Sequence, residues 1–280
     1  MHDIPEYRKY SGEKQIALID NSTISFLEKL EKSGIRGRDL LFGYDAILIP
    51  NWVREEICDS VHRRNYLETL LTDGFPMFSI VEEDYSELVN NEEGNLYRIV
   101  YGAVSTLGAM RSYLRRNVER EDSLDIEKYS DWISELYHSW PLSSETTENG
   151  RLKKKNAGEI SITILAEIFS WYYPDTESIT VFTQDGDCFD YQKNAHKYLK
   201  DVFTNRDYID VSYKSNDFLL CQMYRNGTLT TEMVRSIRKD ERVVTYTRRR
   251  EDNSVALVSQ KLNNPSFVEL IQDRSTQIIF

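Results

Sequence analysis

Three short apolar runs constrain this chain most, because each stops at a polar turn and hands over to a helical pattern. Ile16-Ala-Leu-Ile19 ends at Asp20; Asn21, Ser22 and Thr23 follow, then Phe26, Leu27 and Leu30 at helical spacing as far as Gly34. Ala46-Ile-Leu-Ile49 gives way to Pro50-Asn51 and a helix from about Trp52. Pro50 suits a helix entry, because its missing N–H would be unpaired there anyway. Ser178-Ile-Thr-Val-Phe182 leads through Thr183-Gln-Asp185-Gly-Asp187 into a helix from about Tyr191 to Val202. Met77-Phe-Ser-Ile-Val81 and Tyr208–Val211 read as further strands. Strand-sized apolar runs alternating with helices specify an α/β fold around an open, mainly parallel sheet.

Between 82 and 150 the pattern changes. Glu82, Glu83, Asp84, Glu87, Glu92 and Glu93 form an acidic stretch with no intervening base. Helices are expected over about Leu96–Val118 and Ile126–Trp140, and Pro141–Gly150 reads as a loop. This block is a helical insertion at about 82–150 into a core spanning 14–250. Beyond it, Gly158-Glu159 opens an apolar helix through Ile160, Ile162, Ile164, Leu165 and Ile168. Asp217–Arg225 and Thr230–Arg238 read as helices, with Thr230 and Thr231 as capping residues. Residues 251–280 form a C-terminal extension with an expected strand pair at Val255–Val258 and Gln277–Phe280.

The 280 residues are 40% hydrophobic and 12% aromatic, enough to exclude bulk disorder. No apolar run approaches the ~20 residues of a membrane helix. The first eight residues lack the apolar core of a secretory signal. Cys58, Cys188 and Cys221 form neither a CxxC pair nor an even disulfide set. The expectation is a soluble, cytoplasmic protein without structural zinc or membrane attachment. Lys and Arg number 35 against 46 Asp and Glu, a net charge of −11, which argues against passive coating of nucleic acid. Two basic patches break the acidic background: Arg151 with Lys153, Lys154 and Lys155, and the run from Arg235 to Arg250. Either they edge a working cleft or they are solvated faces. The four histidines pair with no Ser or Cys in a triad-like setting, and no Gly-rich phosphate loop occurs.

The acids are better placed. Asp20 and the pair Asp185 and Asp187 close predicted strands, Glu56 lies past Pro50, and Glu159 opens a helix. The carboxyl ends of strands in an open parallel sheet face one crevice, so these carboxylates are expected to converge. Converging carboxylates repel unless a cation lies between them, and hard oxygen ligands suit Mg²⁺ or Mn²⁺. Singly, each residue also has a structural reading: Asp20 as a helix cap, Glu56 as a solvated helix residue, Glu159 as a complement to the helix dipole, Asp185-Gly-Asp187 as a turn.

These segments together resemble the PIN-domain nucleases, including the toxin members of toxin–antitoxin pairs. Ile16-Ala-Leu-Ile-Asp20-Asn-Ser22 resembles the family's opening strand motif, and Pro50-Asn-Trp-Val53-Arg-Glu-Glu56 its second. Asn156-Ala-Gly158-Glu159 with the apolar helix after it resembles the Gly-Glu form of the third, and Val181-Phe-Thr183-Gln-Asp185-Gly-Asp187 the last. Asp217 to Arg242 is similar to the closing helix, turn and helix. The motifs occur in family order over residues 14–60 and roughly 150–245; the insertion and the tail lie outside them. The Pro-to-Glu spacing selects Glu56 over Glu55.

The resemblance implies a three-layer α/β/α fold and a metal-dependent endoribonuclease. Asp20, Glu56, Glu159 and Asp185 would bind one or two Mg²⁺ or Mn²⁺ ions, with Asp187 in support, and the products would carry a 5′-phosphate and a 3′-hydroxyl. Ser22 and Thr183 are read as bonding a metal water or phosphate, or as turn residues. Lys153, Lys154, Lys155 and Arg248, Arg249 and Arg250 are read as phosphate contacts. Trp52 and Tyr224 are read as core aromatics, with base stacking as the alternative. The expected substrate is RNA, with DNA as the alternative. A toxin or defence role would bring an antitoxin or companion protein, and a homodimer is implied by the resemblance alone. Of two rival enzyme readings, a sugar-nucleotide transferase using Asp185 and Asp187 leaves Asp20 and Glu56 unexplained, and a phosphatase using Asp20 as nucleophile would want a second Asp where Ser22 stands. A catalytically silent scaffold binding RNA or protein through the insertion is the non-enzymatic alternative.

Overall fold

The computed structural model describes residues 4–120, 123–124, 131–146, 150, 152–238, 241–250 and 253–280. Arg151 of the first basic patch, 239–240 of the second, 126–130 of an expected helix and 147–149 of an expected loop lie outside the described residues.

The first half of the core contains β1 (Gln15–Ile19), α1 (Asn21–Lys32), β2 (Ala46–Pro50), α2 (Asn51–Cys58), α3 (Val61–Thr72) and β3 (Met77–Ile80). Then come α4 (Tyr85–Leu88), α5 (Glu93–Ala103), α6 (Gly108–Asn117), β4 (Glu119–Arg120), β5 (Ser123–Leu124), α7 (Trp132–His138), β6 (Ser144–Thr146) and β7 (Leu152–Lys154). The second half holds α8 (Ala157–Tyr172), β8 (Ser178–Phe182), α9 (Gly186–Val202), β9 (Val211–Lys214), α10 (Asn216–Arg225) and α11 (Thr231–Ile237). The chain ends with β10 (Arg242–Arg249), β11 (Val255–Leu262), α12 (Asn264–Gln272) and β12 (Gln277–Ile278).

The fold is α/β: a five-stranded parallel sheet, in the order β3-β2-β1-β8-β9, forms the middle of three layers. Ile16–Ile19 and Ala46–Ile49 are fully buried because helices cover both faces of the sheet. Helix α8 is buried along nearly its whole length and packs against α2, α5 and α9. The chain steps outward from β1 to β2 and β3, then returns to the other side of β1 with β8 and β9. The strand order therefore reverses between β1 and β8, the position where open α/β sheets bind ligands.

Several elements differ from the sequence pattern. The helix expected over Leu96–Val118 is two, α5 and α6; the chain turns at 104–107, where the Ser105 carbonyl accepts from Arg111 Nη1. The strand expected at Tyr208–Val211 lies later, at β9. Ile209 is tied to the end of α8 instead: its N–H donates to the Ser170 carbonyl at 3.1 Å and its carbonyl accepts from Ser170 Oγ at 2.7 Å. The expected loop after Pro141 carries β6, which pairs antiparallel with β7. In the tail, β11 and β12 do not pair with each other; both flank β10, and the three form one antiparallel sheet. Among the described residues no helix is long and apolar enough to cross a membrane.

Candidate active site at the carboxyl edge of the sheet

Asp20 directly follows β1 and is buried. It caps α1 through its own carboxylate: Oδ1 accepts from Asn21 N at 2.7 Å, and Oδ2 from Ser22 Oγ at 2.7 Å. Thr183, at the end of β8, donates its hydroxyl to the same Oδ2 at 3.1 Å. That bond joins the two strand ends where the order reverses. The hydroxyls are also acceptors, Thr183 Oγ1 from Asp185 N at 3.0 Å and Ser22 Oγ from Gln184 N at 3.0 Å. Ser22 and Thr183 are thus committed to orienting Asp20 and the β8–α9 turn. Asp185 caps α9 by accepting from Asp187 N at 2.9 Å.

Glu56 approaches from α2 and is buried. Its Oε2 accepts from Asn21 Nδ2 at 2.9 Å and pairs with Lys153 Nζ at 2.8 Å. Burial pushes the Glu56 carboxyl above its usual range, with the Lys153 bond pulling the other way. The lysine's ammonium is disfavoured by burial, yet its bond to Glu56 and the charges of Glu56, Glu159 and Asp20 raise its pKa. Space for the Glu56 carboxyl depends on Gly158: a Cβ there would lie 3.3 Å from Glu56 Oε1 and 3.2 Å from Val53 Cγ2.

Glu159 sits in the first turn of α8, which begins after Asn156 in the left-handed conformation, φ +59°. Asn tolerates that region better than most residues. Glu159 Oε2 is buried with no hydrogen-bond partner among the described residues. Burial first, then the charges of Asp20, Glu56 and Asp185, push its carboxyl up to about 8. Four carboxylates from β1, α2, α8 and α9 therefore share one electrostatic environment, with Lys153 as the ammonium among them.

As placed, the acids do not form a ready metal cage. Among the described residues no three His, Cys, Asp or Glu side chains are grouped so as to hold an ion. Both Asp20 oxygens and Glu56 Oε2 are already engaged by hydrogen bonds or Lys153. The donor set itself, all hard carboxylate oxygen with one buried oxygen unpaired, fits Mg²⁺ or Mn²⁺.

The remaining sequence candidates are dispersed. Asp187 is exposed on the first turn of α9, beside Tyr191. Lys154 Nζ donates to the His138 carbonyl at 3.3 Å and lies over the Tyr137 ring; Lys155 is exposed. Arg248 and Arg249 are exposed on β10, opposite Ala256 and Val255, and make no bond to the acids. Trp52 is a core residue, stacked on Tyr137 at 4.8 Å, and Tyr224 is half-buried against the core.

Two contributors carried no clear sequence signal. Asn21 clamps Glu56. Glu82, read as part of an acidic surface run, is fully buried instead: its Oε1 accepts from Trp52 N at 3.0 Å and Ser161 Oγ at 2.6 Å. The reason lies at Pro50, which precedes α2 and supplies no side-chain cap, so Glu82 satisfies an amide of the first turn. Burial pushes its carboxyl up to about 8.

No protein-family model, curated protein or solved structure matches this chain.

Proposed function

We propose that this protein is a PIN-like, Mg²⁺- or Mn²⁺-dependent nuclease, an endoribonuclease that hydrolyses RNA phosphodiester bonds at the four-carboxylate cluster. The observation that carries the reading is the gathering of Asp20, Glu56, Glu159 and Asp185 at the strand-order reversal, where burial first and then the charges of the other three acids push Glu159 up to about 8. Repelling carboxylates at a crevice are what a divalent cation would relieve.

Asp20, Glu56, Glu159 and Asp185 would hold the ion. When bound, it would lower the pKa of an attacking water and offset charge on the phosphodiester. Asn21, Ser22 and Thr183 hold Asp20 and Glu56 in place in the free protein, and binding the ion would exchange some of these contacts and the Lys153 pair for metal coordination. Lys153 neutralises Glu56 in the free protein and lies within the cluster, where its ammonium can contact a substrate phosphate.

The test is cleavage of single-stranded RNA with Mn²⁺ and with chelator. Wild type is expected to cut only with metal, and Asp20→Asn and Glu159→Gln to lose at least ~100-fold of the rate. Undiminished cleavage by both variants would overturn the assignment. One observation favours a second reading, a silent scaffold: Lys153 already fills the role of a cation at Glu56. That reading expects RNA or protein binding that survives Asp20→Asn, with no cleavage by wild type in any divalent metal.

A further inference from the structure

A cleft of about 660 Å³ opens on the insertion, within the ~300–1,000 Å³ of small-ligand sites. Helix α5 contributes Tyr97, Arg98 and Tyr101, α6 contributes Arg111 and Arg115, and α9 contributes Tyr198. Tyr198 lies thirteen residues along α9 from Asp185, or about 20 Å of helix, so the cleft is separate from the carboxylates. Beside it α5 and α9 approach closely at Gly102, where a Cβ would lie 3.0 Å from Tyr198 Cδ1.

The lining is aromatic and cationic. Tyr97 and Tyr101 are buried and stack with ring centroids 5.9 Å apart, and the half-buried Tyr198 ring lies tilted at 5.7 Å from Tyr101. The Tyr101 hydroxyl accepts from Arg111 Nε at 3.0 Å and Nη2 at 2.9 Å, which fixes that guanidinium over its ring. Arg115 lies over the same ring at 5.5 Å, is exposed, and has no hydrogen-bond or ion-pair partner among the described residues. Among the described residues of the lining, three guanidiniums thus accompany one carboxylate, Glu119, which accepts from the Tyr97 hydroxyl at 2.7 Å. Ser105 Oγ, also in the lining, is buried without a hydrogen-bond partner among the described residues.

A local cationic excess in a chain of net charge −11 points to an anionic ligand. Guanidinium forks match phosphate oxygens, and tyrosine faces match a flat base. A bare inorganic anion would leave the rings and most of the volume unused. We infer that this cleft binds a nucleotide, with its base against Tyr198, the half-buried tyrosine of the lining, and its phosphates on Arg98, Arg111 and Arg115. The nucleotide is either free or one unit of a single-stranded RNA. The inference is independent of the nuclease reading.

The test is calorimetric titration of the full chain, in chelator, with ATP, GTP, UTP, pyrophosphate and a ten-nucleotide RNA. At least one nucleoside triphosphate is expected to bind tenfold or more tightly than pyrophosphate. Arg115→Ala and Tyr198→Ala should each weaken that binding about tenfold or more, whereas Asp185→Asn should leave it unchanged. Arg115 is exposed, so its removal tests binding without risk to the fold. If the RNA displaces the nucleotide, the strand is the source; if it does not, the ligand is a free nucleotide. Absence of nucleotide binding, equal affinity for pyrophosphate, or wild-type affinity in Arg115→Ala would overturn the inference.

Discussion

Lys153 Nζ stands 2.8 Å from Glu56 Oε2, so β7, the strand leading out of the insertion, delivers an ammonium into the carboxylate cluster of the core. Its side chain is one-third exposed, and Glu56 is the partner it neutralises. Lys153→Met should therefore cost about 1–3 kcal/mol of stability in chelator, by leaving a partly buried carboxylate unpaired. Added Mn²⁺ should restore more stability to this variant than to wild type. Thermal melts with and without metal measure both effects; an unchanged melting temperature in chelator would show that the pair is energetically idle.

Gly158 separates stability from function. In the first turn of α8 an alanine is a better helix former by up to ~1 kcal/mol. Its Cβ, however, would crowd Glu56 Oε1 at 3.3 Å. Gly158→Ala should keep global stability within about 1 kcal/mol while lowering metal-dependent cleavage at least ~10-fold. A variant that folds and cleaves like wild type would show that the Glu56 position is not critical.

Much of this arrangement was legible in the sequence, for a physical reason. β1 and β2 are buried on both faces and read as apolar runs, and β8 reads as a β-rich run interrupted by Thr180, so the acids at their ends share a common edge. What was not legible depends on contacts distant in sequence. Glu82 looks solvated until Pro50 is seen to leave an amide of α2 without a cap. Lys153 reaches Glu56 only because the β6–β7 ladder sets the register before α8. The pairs Tyr97 with Tyr101 and Arg111 with Arg115 each show helical spacing. Their meeting depends on the turn at 104–107, inside what reads as one continuous helix.

Glu82 gives the fold a pH dependence. Its folded-state pKa, about 8, lies above the ordinary value of 4.5. The stability it contributes is therefore fully present below about pH 4.5 and is lost as pH rises through about 8. Glu82→Gln keeps an acceptor for Trp52 N and removes the charge, so its melting temperature should fall less than that of wild type between pH 5 and 9. Parallel curves for the two proteins would contradict the burial of an ionisable group there.

Asp217 anchors the C-terminal sheet rather than the carboxylate cluster. It is buried and pairs with Arg238, itself 1% exposed, at 3.0 Å, and with Arg242 at the start of β10. Asp217→Asn would leave two guanidiniums uncompensated, one of them in the core. A loss of about 3–5 kcal/mol, or on the order of 10 °C in melting temperature, is expected. Limited proteolysis should then cut first within residues 242–280; melting as wild type would refute an anchoring role.

The central claim is that Asp20, Glu56, Glu159 and Asp185 converge on a divalent cation, and melting of wild type and Asp185→Asn with Mn²⁺ and with chelator tests it most directly. Metal at ~100 times its dissociation constant should stabilise wild type by about 2.7 kcal/mol, on the order of 5–10 °C. The shift should shrink in Asp185→Asn, which in chelator should melt above wild type because one repelling charge is gone. No Mn²⁺ shift in either protein would mean that these carboxylates do not meet around a metal.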